Sequence, residues 1–217
     1  MALNINGTTG ISGVDGSVSA PAVTGTDSNT GITFPSADTI KFATGGVERM
    51  SITNSGITGI VAGITIADQW RVTSSVSLSN ADNYLTSNWE RVDTTGQGTV
   101  GTAMSESGGI FTFPSTGIYK VEWQGYFSDS GSSEASAIDI YLTTNNSSYS
   151  QIAGGFTSVP DTGSLDFGYV TVQTFVDVTD VTQVKVKFRV YSNDSVTFVG
   201  SSTYNANCAT FIRLGDT

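Results

Sequence analysis

The sequence predicts an all-β protein in two parts, a β-rich segment over residues 1–66 and a β-sandwich of the jelly-roll type over residues 67–217. Three observations predict it. The chain holds 29 Ser, 31 Thr and 25 Gly among 217 residues, small side chains that suit strands, turns and close backbone approach. Apolar residues alternate with polar ones at period two, most plainly in residues 183–190, where Val184, Val186, Phe188 and Val190 point one way and Lys185, Lys187 and Arg189 the other. Finally, the 3 Trp and 8 Tyr all lie beyond Asp68, so the side chains that build a core are confined to the second part.

Within residues 1–66 the glycines Gly7, Gly10, Gly13 and Gly16 recur at spacing three, as do Gly56 and Gly59. Without the prolines of a collagen repeat, so few triplets read as Gly-rich β-turns. Three apolar islands follow, at 31–35, 39–42 and 47–52, each alternating like a strand. Gly45 and Gly46 separate the second from the third and carry the signal of a two-residue hairpin, because both tolerate positive φ. The segment has six charged residues, Asp15, Asp27, Asp38, Lys41, Glu48 and Arg49, and only Phe34 and Phe42 as aromatics. Such a segment cannot hide its strands by itself and is expected to bury them against copies of itself.

Beyond it, alternation marks strands at 117–123, 138–142, 183–190 and 209–214. The denser run at 167–176 reads as a central strand covered on both faces. Asp129 to Gly131, Asn145-Asn146, 160–163 and Asn193-Asp194 supply turn chemistry between them. About eight strands without an amphipathic helix suit a two-sheet sandwich.

Composition also excludes function classes. With 19 acidic against 9 basic residues and a net charge of −10, the chain is unsuited to electrostatic capture of nucleic acid or an anionic membrane. It has no His, which removes the Ser/His/Asp and Cys/His couples and an ordinary zinc centre. Cys208, the single cysteine, reads as a small apolar residue of the last strand. No stretch reaches the roughly 18 apolar residues that span a membrane, and no export signal opens the chain. The expectation is a protein made in a cytoplasm, with no membrane insertion and no nucleic-acid partner.

Residues 108–121 contain Gly109, Phe111, Phe113, Pro114, Gly117 and Tyr119, and this stretch resembles the Gly-x-Phe-x-x-Pro-x-x-Gly-x-Tyr signature of the complement globular-head and tumour-necrosis-factor-like jelly roll. Pro114 and Gly117 make its turn, while Phe111, Phe113 and Tyr119 anchor adjoining strands. The likeness covers about residues 84–214 and implies a trimeric head. One departure is Asp177 to Asp180, which stands where that family has a Gly-Asp pair without supplying the Gly. The opening of the chain, in Asn4 to Gly13, Gly25 to Gly31 and Asp38 to Arg49, resembles the N-terminal segments of marine bacteriophage virion and tail-fibre proteins. Together the two resemblances imply an exterior virion appendage, a homotrimer joined to other virion proteins through residues 1–66 and carrying a jelly-roll knob that attaches to a host-surface glycan or protein. A capsid decoration protein without a specific receptor is the alternative within that class, and a small glycan depolymerase the alternative outside it.

The candidate binding residues are aromatic. Trp70, Trp89, Trp123 and Tyr126 are considered for a sugar platform, but Trp123 lies on a core-like strand and reads as buried. Tyr141, Tyr149 and Tyr204 fall on outward or loop positions and are the better candidates. No catalytic residue, cofactor or metal ligand is assigned, and the chain reads as a binding protein, not an enzyme. Calcium is the one ion considered, because the Asp- and Asn-rich loops 129–134, 161–166 and 193–194 could supply the oxygen ligands it takes and some similar jelly-roll heads hold it at their three-fold axis. Acidic turns in so acidic a chain read first as solvated surface.

Overall fold

The computed structural model describes residues 4–6, 10–12, 15–59, 63–131 and 133–217, and these divide between two compact units, Met1–Gly63 and Ile64–Thr217. Ile66 belongs to the core of the second unit, so the second unit starts ahead of residue 67.

Two short hairpins open the first unit, β1 (Asn4–Asn6) with β2 (Gly10–Ser12) and β3 (Gly16–Ser17) with β4 (Ala20–Pro21). Gly7 and Gly13 lie outside the described residues. An antiparallel meander follows through β5 (Val23–Thr24), β6 (Gly31–Thr33), β7 (Ile40–Thr44), β8 (Val47–Thr53) and β9 (Gly56–Thr58). The three apolar islands are β6, β7 and β8. Gly45 and Gly46, at φ +60° and +74°, turn the chain in two residues between Thr44 and its partner Val47.

Register sorts the meander by size of side chain. Val23, Ile32, Phe42 and Met50 stand side by side across the strands, as do Ile40, Ile52 and Ile57. Cross-strand partners share a face, so all the large apolar residues are on one side, and Val23, Ile40 and Ile57 are exposed there. The other side carries Thr33, Ala43 and Ser51, all buried. Thr33 Oγ1 donates to the Asp15 carbonyl at 2.8 Å, Ser51 and Thr58 share a hydroxyl bond of 2.7 Å, and Lys41 pairs with Glu48.

The second unit contains β10 (Ala67–Val72), β11 (Val76–Tyr84), β12 (Trp89–Arg91), β13 (Ser105–Ser107), β14 (Ile110–Thr112), β15 (Gly117–Asp129), β16 (Ser133–Thr143), β17 (Ser150–Val159), β18 (Asp166–Val178), β19 (Lys185–Phe198) and β20 (Cys208–Gly215). One sheet runs β12-β10-β20-β15-β18. The other runs β17-β16-β19, with β11 and β14 both on the far edge of β19 and β13 beyond β14. The sheets join where Phe127 of β15 pairs with Phe198 of β19. All pairing is antiparallel, and the eleven strands form a jelly-roll sandwich whose short members β12, β13 and β14 exceed the expected number.

The rings of Trp89, Phe111, Trp123, Phe188 and Phe211 fill the space between the sheets, with centroids 4.9 Å apart in the Trp89–Phe111 and Trp123–Phe188 pairs. Trp123 is fully buried. The inward stripe of Val184, Val186, Phe188 and Val190 is buried as its alternation predicts.

Residues 167–176 correct the sequence reading. They lie in β18, which bonds to β15 alone and forms an edge, and the strand is covered on one face only. Val172 and Val176 are buried, whereas Phe167, Tyr169 and Phe175 project outward at 51%, 55% and 69% exposure. Period two does hold in this strand. Apolar residues on both sides of the pleat mimic burial on both sides, although one set faces solvent.

Candidate binding site

Strand β19 organises the solvent face of the second sheet. Its outward positions carry Lys185, Lys187, Arg189 and Tyr191, while β16 places Tyr141 beside Lys187 and Asp139 beside Arg189. On the other flank, β11 puts Tyr84 opposite Arg189 and Asp82 opposite Tyr191. Tyr149, just ahead of β17, completes the group.

Lys187 is the centre. Its Nζ lies 3.9 Å from the Tyr84 ring centroid, 4.5 Å from Tyr149 and 5.9 Å from Tyr141. Tyr84 and Tyr141 meet edge to face at 5.3 Å, the arrangement favoured by the ring quadrupole. Burial pushes the phenols of Tyr141 and Tyr149 above their ordinary pKa. Both therefore remain hydroxyl donors at neutral and mildly alkaline pH.

Arg189 is held from two sides. Asp139, itself buried, receives Arg189 Nε at 2.8 Å and Nη2 at 2.6 Å, and Asp82 receives Nη1 at 2.8 Å. Burial works against the guanidinium charge, and the hydrogen bond and charge of Asp139 outweigh it, so the Arg189 pKa is raised. Gln151 Nε2 donates to the remaining Asp139 oxygen at 2.6 Å. Arg189 Nε and Nη2 both converge on Asp139 Oδ2, and this charge-assisted pair fixes the floor of the cluster.

Two of the three tyrosines singled out from sequence, Tyr141 and Tyr149, thus come together. Tyr204 does not join them, because it stands on the loop between β19 and β20, whose Ser201 and Asn207 bond to Val72 of β10 in the other sheet. Sequence reasoning missed Tyr84, Lys187 and Arg189 as companions. The only local signal was the alternation of cations along β19, since Tyr84 reaches the site through the β11–β19 pairing, far away in the chain.

The head signature has a different place. Phe111, Phe113 and Tyr119 are buried inside a single copy. The Phe113 and Tyr119 rings lie 4.7 Å apart, and Tyr119 Oη donates to the Ser115 carbonyl at 3.1 Å. Pro114 sits in the turn before β15, and Gly117 opens that strand at φ +135° with no room for a Cβ against Gly215 and Arg213. These residues tie β14, β15 and β20 together.

Three of the carboxylates in the loops considered for calcium bond to their own turns, and Asp194 accepts the Glu134 N–H. Asp129 accepts the Ser130 N–H, Asp161 that of Gly163 and Asp166 that of Thr162. Among the described residues no group of three or more such side chains gathers as a metal site. Cys208 is buried, and burial pushes its thiol up to about 11.

No protein-family model and no curated protein matches the sequence. Solved structures do match in fold. The Eiger tumour necrosis factor from S. frugiperda is 15% identical, with 71% of this chain covering 96% of that one at a TM-score of 0.51. The chain therefore carries a tumour-necrosis-factor-like jelly-roll fold. Murine APRIL, at 11% identity, covers 69% of this chain and 98% of its own at a TM-score of 0.47.

Proposed function

We propose that this chain is a structural protein of a bacteriophage particle, a homotrimeric fibre whose N-terminal unit joins other virion proteins and whose jelly-roll knob attaches to the host surface. The reading rests above all on the outward face of β18, where Phe167, Tyr169 and Phe175 stand in solvent and Tyr126, the cross-strand partner of Tyr169, stacks on Phe167 at 5.5 Å. Burying one such side chain stabilises an assembly by about 2 kcal/mol, so a face carrying several of them favours self-association. The apolar side of the N-terminal meander supports the same reading. Its large residues share one exposed face, while the small ones are covered.

In this reading the chain binds and does not catalyse. It lacks His, and its only thiol is buried with a raised pKa. A trimer presents every surface cluster three times, so weak contacts to a host glycan or protein sum to avidity when geometry permits simultaneous engagement. Sedimentation equilibrium tests the assembly: three copies of 22.6 kDa give about 68 kDa, and a monodisperse single copy rejects the trimer. Gold-labelled antibody against the knob tests its place. Label on fibre tips supports the proposal, and label on the shell alone replaces it with a decoration protein.

A further inference from the structure

We propose that the outward face of β19 binds an acidic polysaccharide, with sugar rings lying against Tyr84, Tyr141 and Tyr149 and the sugar carboxylate or sulfate at Lys187 Nζ. The inference gives a ligand class to the knob and rests on the attachment reading.

Charge placement is the first argument. The chain has nine basic residues against 19 acidic, and three of the nine, Lys185, Lys187 and Arg189, alternate along one face of one strand. Arg189 is neutralised by Asp139 and Asp82. Lys187 forms no salt bridge among the described residues, and its neighbours are the faces of three tyrosine rings. Rings attract an ammonium without cancelling its charge. Lys185, two residues along the same face, is likewise outside every salt bridge among the described residues, so two uncompensated cations are presented on one face of an acidic chain.

Ring placement is the second. Tyr84 is exposed and braced edge to face by Tyr141, and each ring offers an apolar body with a polar tip. The phenols of Tyr141 and Tyr149 can donate to sugar hydroxyls. Beneath them the Asp139–Arg189–Gln151 network holds the floor rigid, so little ordering is needed on binding. A nucleic-acid duplex is disfavoured, because a net charge of −10 repels a polymer with a charge at every ~1.7 Å. Single charges spaced one per sugar, offered to the unpaired amines of Lys187 and Lys185, suit the site better. Acidic peptides share the charge but lack the flat, C–H-lined rings that stack on tyrosine.

The test is calorimetric titration of the full chain with oligogalacturonate, with a neutral maltooligosaccharide of equal length and with poly-glutamate. Wild type is expected to bind oligogalacturonate alone. Lys187→Gln is expected to weaken it about tenfold, about 1.4 kcal/mol, with an unchanged far-ultraviolet dichroism spectrum. Tyr149→Ser, placed ahead of β17, provides a second variant with the same expected direction. Equal binding of the neutral oligomer or of poly-glutamate overturns the inference, as does undiminished binding by folded Lys187→Gln. Binding to whole host cells is measured in parallel. Cell binding without oligogalacturonate binding overturns the acidic-glycan inference and leaves attachment standing, whereas oligogalacturonate binding without cell binding does the reverse.

Discussion

Asp139 decides the geometry of the tyrosine cluster although it touches no tyrosine ring. It is buried between β17 and β19, and its two oxygens take Gln151 from one side and Arg189 from the other. A carboxylate buried in this way is tolerated because each oxygen is satisfied. Gly154 makes the arrangement possible. A Cβ there would run into Asp139 Oδ1 and Gln151 Nε2 well inside van der Waals contact, so the strand opposite Asp139 must present a residue without a side chain. Gly154→Ala is therefore expected to destabilise the knob by about 2 kcal/mol, the usual cost of overpacking. Gly98→Ala, where an added Cβ meets nothing within 4 Å, is expected to stay within about 0.5 kcal/mol of wild type. Chemical denaturation of the two variants side by side checks both, and equal midpoints would refute the steric account.

Strand β18 tests the assembly at the scale of an element. Its inward residues Val172, Val176 and Val178 belong to the core, while Phe167, Tyr169 and Phe175 lie outside it and face solvent. Replacing Tyr169 and Phe175 by Asp should therefore leave the fold intact and abolish the oligomer. The expected result is a sedimentation mass falling from about 68 kDa toward the 22.6 kDa of one chain with the β-sheet spectrum retained. A variant that still sediments as a trimer would move the interface elsewhere. The same strand shows why some of the fold was legible and some was not. Alternation of apolar with charged residues identifies the buried side of β19 without ambiguity, because Lys and Arg are almost never buried unpaired. In β18 both sides of the pleat are apolar, and sequence cannot separate a side chain buried in its own core from one awaiting a partner. Tyr141 was legible as an outward residue for the first reason, and Tyr149 by its place in the loop after Asn145-Asn146. Tyr84 and Lys187 became part of the site only through strand pairing, which no local pattern encodes.

For the whole molecule the question is how the two units divide stability. Unit Ile64–Thr217 contains the aromatic core, and its first residues are part of it: Ile66 packs in the cluster, its carbonyl accepts Arg213 N–H at 2.9 Å, and Ala67 exchanges both backbone bonds with Val100. The meander of the first unit supplies none of these groups. A fragment of residues 64–217 is therefore expected to unfold cooperatively, with a melting temperature close to that of the knob in the full chain. Cutting at residue 68 instead removes a buried isoleucine and unpairs the Arg213 and Val100 backbone groups. Loss of the isoleucine alone is worth about 2–3 kcal/mol, a shift on the order of 5–10 °C for a domain of this size. Differential scanning calorimetry of the two fragments measures the difference. Indistinguishable melting would show that residues 64–67 lie outside the folding unit, and failure of the longer fragment to fold would show that the jelly roll depends on the N-terminal unit for its stability.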